Sequence, residues 1–218
     1  MPTRILRGPF QNALIVIDWR HSLRKIFGLY EHKLNGWFDN AIPRVSRVLD
    51  VGANDGYFTF GCAAAFRRRG FGGEIIPFEP QADHVHALQE SIAIQPARTT
   101  QISIQQCLVG DHIAPGMTTL DSVSWRIGDA NARDSTLIKI DVEGAELEVL
   151  NGARSWLSPS SLFLTEVHEA AFLRRIVELF SANNLLLERI DQRPLPFLGR
   201  EERRQENWWL VSALNLRP

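Results

Sequence analysis

At 218 residues, 44% of them hydrophobic, the chain is long enough to bury one sizeable core. A net charge of −1 offers no strong basic field to nucleic acid and no polybasic face to a membrane, and no apolar run reaches the roughly 18 residues of a membrane span. The two cysteines, Cys62 and Cys107, sit in apolar segments without metal-ligand spacing, and the start lacks a signal-peptide pattern, so free thiols in a cytoplasmic enzyme are expected.

Residues 1–43 read as a mixed lead with a helical candidate at 31–41. Pro43 breaks that pattern before a strand at 47–51, which sets a main domain over 44–218. A helix at 57–69 ends at Gly70, Gly72 and Gly73, and Arg67, Arg68 and Arg69 in its last turn complement the helix dipole. Strand returns at 74–78, then helix at 81–94, stopped near Pro96. Alternating β-branched residues predict a third strand at 101–109. Residues 110–134 read as irregular, with a helical turn at 120–123. Strand at 136–140, helix at 145–156, strand at 161–167 and helix at 169–182 follow. Strands at 185–190 and 207–213 are too close for a crossover helix and are expected to pair antiparallel. The charged stretch 192–206 between them reads as a solvated connection, with a lid or partner contact as the alternative. The alternation predicts an α/β fold: a mostly parallel seven-stranded sheet with helices on both faces and a C-terminal antiparallel hairpin.

The chemistry concentrates at strand ends. The first clear strand runs into Asp50-Val51-Gly52-Ala53-Asn54-Asp55-Gly56, a glycine turn ahead of a helix, and the second ends in Glu79. This is the layout of a nucleotide-type cofactor site, in which the second strand delivers a carboxylate to a ribose diol. A dinucleotide site wants G-x-G-x-x-G for its pyrophosphate, whereas here position 54 is Asn and position 57 is Tyr. Asp50 and Asp55 place negative charge beside the turn, which disfavours a pyrophosphate and suits a cation. S-Adenosylmethionine, with a sulfonium, an α-ammonium and a ribose but no phosphate, fits better than a nicotinamide dinucleotide. Taken alone, the glycine spacing is that of any strand-to-helix turn.

Strand side chains alternate faces, so Lys139 shares a face with Asp141, and Glu166 shares one with His168. If the strands 136–140 and 161–167 are neighbours, Asp141, Glu166 and His168 converge at the carboxyl edge where ligands bind in open α/β sheets. Lys139 inside an apolar strand needs a partner, with Asp141 or Glu166 available, and otherwise serves the catalytic site. Glu143 and Glu146 open a helix, where negative charge is favourable in itself.

A mostly parallel seven-stranded sheet finishing in a hairpin is the Rossmann-like architecture of class I methyltransferases. The segments Val48–Tyr57, Phe78-Glu79-Pro80, Thr119-Leu120-Asp121, Ile138–Glu146 and Glu166-Val167-His168 resemble the FkbM family of S-adenosylmethionine-dependent methyltransferases, and Gly28-Leu29-Tyr30-Glu31 is similar to a lead-in of that family. The resemblance runs from about residue 28 to about residue 190, and its most specific part is 138–146. It implies O-methylation of a small molecule, usually a sugar, glycan or polyketide-like hydroxyl. It also implies that Asp50, Gly52 and Asn54, with Ala53, Gly56 and Tyr57 around them, meet the methionine portion of the cofactor. Glu79, followed by Pro80, holds the ribose; Leu108 to Asp111 border the adenine; Asp141 lies below the methyl group. Family members often carry extra strand-like sequence before the Thr-Leu-Asp element, where this chain has 110–118, so acceptor identity does not carry over.

The expected activity is therefore O-methyl transfer to a small-molecule hydroxyl. His168 is the candidate general base, since a neutral imidazole is available near pH 7, with Glu166 or Asp141 to orient it. The alternative is a Mg²⁺ or Mn²⁺ held by Asp141, Glu166 and His168, ranked behind the metal-free version. Two rivals remain: a cofactor-binding scaffold without turnover, and methylation of nucleic acid or protein. The chain lacks an Asn-Pro-Pro-aromatic motif and a basic stripe, which argues against a nucleic-acid partner.

Overall fold

The computed structural model describes residues 1–70, 72–96, 100–123, 135–191 and 208–214. The charged stretch 192–206 lies outside the described residues, as do 124–134 of the irregular region.

The chain opens with a small antiparallel pair, β1 (Pro2–Arg4) and β2 (Leu14–Val16), then the single turn α1 (Leu23–Ile26) and α2 (Asn35–Ala41). The main alternation follows: β3 (Val45–Val51), α3 (Tyr57–Arg68), β4 (Glu74–Phe78), α4 (Ala82–Ala93) and β5 (Gln101–Ile102). A separate short pair, β6 (Leu108–Val109) and β7 (Met117–Thr118), leads to β8 (Ser135–Ile140), α5 (Glu146–Asn151), β9 (Ser161–Val167), α6 (Ala170–Ala182), β10 (Leu187–Asp191) and β11 (Trp208–Ser212). The seven-stranded sheet has the order β10-β11-β9-β8-β3-β4-β5, and β11 runs antiparallel to both of its neighbours. The expected sheet and its antiparallel ending are both present.

The central strands are apolar because helices cover both faces of the sheet. Val48, Leu49, Leu137, Ile138, Phe163 and Leu164 are all fully buried. α3 is buried over most of its length, and its Gly61 lies against the Phe10 ring: an added Cβ would come within 2.3 Å of it. Phe10 also packs against Phe38, Tyr57 and Phe58 at centroid distances of 5.0, 5.3 and 5.8 Å. The lead therefore shares one hydrophobic core with α3 and β3. Arg67 and Arg68 do more than complement a dipole, since they donate to the backbone carbonyls of Asn12, Gln11 and Pro9 and fasten the lead across the helix end.

Two elements differ from expectation. The third strand pairs regularly over two residues, not 101–109. Ser103 N and Gln105 N still donate to the Ile75 and Pro77 carbonyls, but Pro77 has no N–H to return, so the ladder is interrupted there and resumes only as a bridge between Phe78 and Gln105, with Glu79 N donating to the Gln105 carbonyl at 3.1 Å. The expected helix 145–156 stops at Asn151, and a separate 3-10 turn covers Arg154–Trp156. Asp121 of the Thr-Leu-Asp element supplies its cap, accepting from Arg154 N and Ser155 N at 3.0 and 2.9 Å.

Candidate functional site

The sheet order reverses at β3, which has β4 on one side and β8 on the other, and open α/β sheets bind ligands at such a switch point. The turn after β3 passes directly over the end of β8. Gly52 has φ of +78°, and a Cβ there would lie 2.0 Å from the Asp141 carbonyl oxygen, so both backbone and space require glycine. Gly52 N and Ala53 N donate to the Phe78 carbonyl at 3.1 Å, tying the turn to β4. Glu79, 4% exposed, completes the link: Oε2 accepts from Asn54 N at 2.8 Å and Oε1 from Gln81 N at 3.0 Å.

A cleft of about 540 Å³ opens beyond these strand ends, within the range of small-molecule sites. Of the residues expected to hold the cofactor, Gly52, Asn54, Glu79, Pro80, Leu108 and Asp141 line it. Ala53 and Tyr57 line a smaller adjoining cavity, and Gly56 shapes the turn by donating to the Ala53 carbonyl. Two expected residues stand elsewhere. Asp111 turns outward to pair with His112 at 2.7 Å, a hydrogen bond that holds its carboxyl below the usual range. Asp50 faces inward beneath the turn, fully buried, where Thr59 Oγ1 donates to its Oδ2 at 2.5 Å. The cleft also takes in Cys107, Gln81, His84 and Glu143, of which Glu143 alone had a motif to mark it. His84 Nδ1 comes within 3.4 Å of Glu79 Oε1 without forming a hydrogen bond.

Lys139 explains the inward turn of Asp50. The register places Asp50 directly opposite Lys139, so the two share a face of the sheet. Lys139 Nζ lies 3.3 Å from Asp50 Oδ1, as an ion pair and not an aligned hydrogen bond, 3.1 Å from Asp141 Oδ2, and donates to the Gly52 carbonyl at 3.0 Å. Burial works against its charge, but Asp141 and Asp50 outweigh burial and raise its pKa, so Lys139 stays an ammonium. Its partners are Asp141 and Asp50; of the two candidates read from the sequence, Asp141 fits. For Asp50 burial dominates and raises the pKa; for Asp141 burial is outweighed by Lys139 and by a hydrogen bond with Glu166, and the pKa falls.

β8 and β9 are adjacent, with Ile140 opposite Thr165, and they bring Asp141, Glu166 and His168 together. One ligand atom from each lies within 4.8 Å of the others. The His168 ring is held by Glu146, fully buried at the start of α5, whose Oε1 lies 2.6 Å from His168 Nδ1 and also accepts from His168 N at 3.3 Å. Negative charge at a helix start has an ordinary electrostatic explanation, which hides this second role in the sequence. Burial pulls the His168 pKa down, but the Glu146 hydrogen bond and the charges of Asp141, Glu146 and Glu143 outweigh it, so the pKa lies above the ordinary 6.5. With Nδ1–H donating to Glu146, Nε2 is left as the accepting nitrogen.

Residues 108–184 match the methyltransferase FkbM domain. The FkbM resemblance holds. The crystal structure of methyltransferase FkbM from Methylobacillus flagellatus KT superposes with a TM-score of 0.58 at 20% identity, covering 78% of this chain. This chain spans 44% of the length of that FkbM chain. The yhhF protein of Escherichia coli superposes with a TM-score of 0.53 at 15% identity over 97% of this chain and 98% of its own. No match is found among curated proteins. The fold is that of class I methyltransferases, and the FkbM domain match takes in Asp141, Glu146, Glu166 and His168. Among the described residues no helix is long and apolar enough to cross a membrane.

Proposed function

We propose that this protein is an S-adenosylmethionine-dependent O-methyltransferase acting on a hydroxyl of a small molecule of the sugar, glycan or polyketide class. The observation that carries this reading is the continuity of two sites: the cleft over the glycine turn, with Glu79 on its wall, reaches Asp141, which stands beside Glu166 and His168. Asp141 and Glu143 on the cleft wall, with Asp55 in the turn, make a poor home for a pyrophosphate and a good one for a cationic donor. The FkbM domain match supports methyl transfer over the scaffold and dinucleotide readings.

S-Adenosylmethionine supplies a methyl group activated on a sulfonium. The protein's task is then to bind, orient and deprotonate. Glu79, its carboxylate held in place by Asn54 N and Gln81 N, would accept from the ribose hydroxyls. Apolar Phe78 and Val109 line the same cleft and would border the purine. Orientation of two reactants contributes roughly 7–11 kcal/mol when the geometry is right. His168 Nε2 takes the proton of the acceptor hydroxyl, and Glu146 stabilises the resulting imidazolium through Nδ1–H. The spacing of Asp141, Glu166 and His168 also accommodates a divalent ion, Mg²⁺ or Mn²⁺. We rank base catalysis ahead because Lys139 already supplies Asp141 with positive charge at 3.1 Å.

Calorimetric titration with S-adenosylmethionine, beside NADH and a Glu79→Ala variant, tests the donor. Binding of S-adenosylmethionine alone, weakened in the variant, supports the reading, and binding of NADH instead rejects it. A hydroxyl-acceptor screen with His168→Ala then tests the chemistry: turnover should fall about 10²–10⁴-fold while donor affinity holds. Full activity in that variant removes His168 from the mechanism, and loss of turnover in EDTA that Mg²⁺ restores promotes the metal version. Donor binding without turnover across a broad panel supports the scaffold.

A further inference from the structure

The net charge of −1 conceals an asymmetry along the chain. Residues 1–30 hold five lysine and arginine residues against one acid, a net charge of +4, and residues 31–218 carry −5. Three of the five, Arg4, Arg7 and Arg20, are exposed, whereas Lys25 is committed to Asp55 in the glycine turn. The end of α3 adds to this side of the molecule, because Arg67 and Arg68 donate to the carbonyls of Asn12, Gln11 and Pro9 in the lead. Burial, and then the nearby charge of Arg4, lower the Arg67 pKa, and at Arg68 burial and Arg67 outweigh the opposing charge of Asp39. Like charges are gathered here.

Apolar side chains stand among these cations. Leu6, Trp19, Leu23 and Phe27 are 46, 47, 49 and 47% exposed. Leu23 and Phe27 share a face of α1, with Phe27 N donating to the Leu23 carbonyl at 3.0 Å, and Leu6 lies beside them through its N–H to the Ile26 carbonyl at 2.8 Å. Trp19 sits one turn earlier, its carbonyl accepting from Ser22 N, and the Arg20 guanidinium lies 5.8 Å from its ring centroid.

Chemistry selects what such a surface meets. A nucleic acid would use the arginines and stack on the rings, but gains nothing from Leu6 and Leu23. Four side chains of at most about 250 Å² each, half exposed, offer at most about 500 Å², short of the roughly 800 Å² per partner of a stable protein interface. An anionic bilayer uses every part: leucine and phenylalanine enter the acyl boundary, tryptophan rests at headgroup level, and arginine pairs with the anionic headgroups.

We propose that the lead segment is a peripheral docking surface for an anionic lipid bilayer, with Leu6, Leu23 and Phe27 inserted and Arg4, Arg7 and Arg20 on the headgroups. This role is independent of the methyl-transfer reading. It bears on where the cleft would work, since the Lys25–Asp55 pair fastens α1 to the glycine turn.

Co-sedimentation of the full chain with two kinds of vesicle tests the surface: pure phosphatidylcholine, and phosphatidylcholine with about 30% phosphatidylserine. Partitioning should be about tenfold or more stronger on the anionic vesicles and should weaken as salt rises from about 0.1 to about 0.5 M. The double variants Leu23→Gln/Phe27→Gln and Arg7→Glu/Arg20→Glu, each verified as folded by circular dichroism and thermal melting, should each lose about tenfold or more of that binding. Wild-type protein that binds neither vesicle, or both equally, overturns the proposal without any variant. So does a folded Leu23→Gln/Phe27→Gln protein that binds as wild type does, because charge alone would then account for the attraction. Absent vesicle binding beside salt-sensitive binding to a single-stranded RNA oligonucleotide assigns the face to nucleic acid instead. Absent vesicle binding beside self-association in light scattering, abolished by Leu23→Gln/Phe27→Gln, assigns it to a second copy of the chain.

Discussion

The Glu146–His168 pair sets how the proposed base titrates. Its folded pKa is raised, so the stabilisation from the pair is fully present below the ordinary value of 6.5 and is lost as pH rises through the raised one. Thermal melts of wild type and His168→Gln should therefore differ most near about pH 5 and converge towards about pH 9. A difference that grows with pH would show that Glu146 does not hold the charged imidazole. Catalysis runs the other way, because Nε2 accepts a proton only once the ring is neutral. The kcat/KM profile should rise through an inflection above 6.5, and Glu146→Gln, which removes the charge and keeps an acceptor, should move that inflection down. Lys139 poses a separate question of stability. Lys139→Met leaves Asp50 buried and uncompensated, at a cost of about 3–5 kcal/mol. Adding Asp50→Asn should recover part of that loss in urea unfolding, and an additive double variant would mean the two side chains do not interact.

At the level of elements, the turn between β3 and α3 is the strictest. Gly52→Ala places a Cβ into the Asp141 carbonyl at a left-handed φ, so both melting temperature and donor binding should fall. Normal binding in that variant would mean the turn is not fixed by Asp141. Elements of this central kind are legible in sequence. β9 reads correctly as an apolar run bounded by turn residues, and Asp141, Glu166 and His168 follow from alternation once β8 and β9 are taken as neighbours. What escapes depends on pairing. Asp50 reads as a cofactor contact until the register sets it opposite Lys139. The 101–109 run has strand composition, yet Pro77 on the neighbouring strand interrupts its ladder before the bridge at Gln105, and composition along one strand carries nothing of that. β1 and β2 are three residues each, too short for a period to show.

For the whole molecule, the open question is whether the lead is an attachment or a structural part of the main domain. A sequence boundary near residue 43 treats 44–218 as self-sufficient, but the side chains cross that line. Phe10 fits the space that Gly61 leaves on α3, Ile5 and Ile15 are fully buried, Trp37 Nε1 donates to the Ser212 carbonyl, and Ser91 Oγ accepts from Val16 N. Contacts of this density predict one cooperative transition. Phe10→Ala should lower the stability of the whole protein by about 3–5 kcal/mol, the usual range for a buried phenylalanine, with fluorescence and circular dichroism melting together. If the lead unfolds first while the sheet keeps its own transition, the lead is peripheral. If the transitions coincide, the lead is a structural part of the main domain, because α1 and the turn after it are held between that core and the glycine turn.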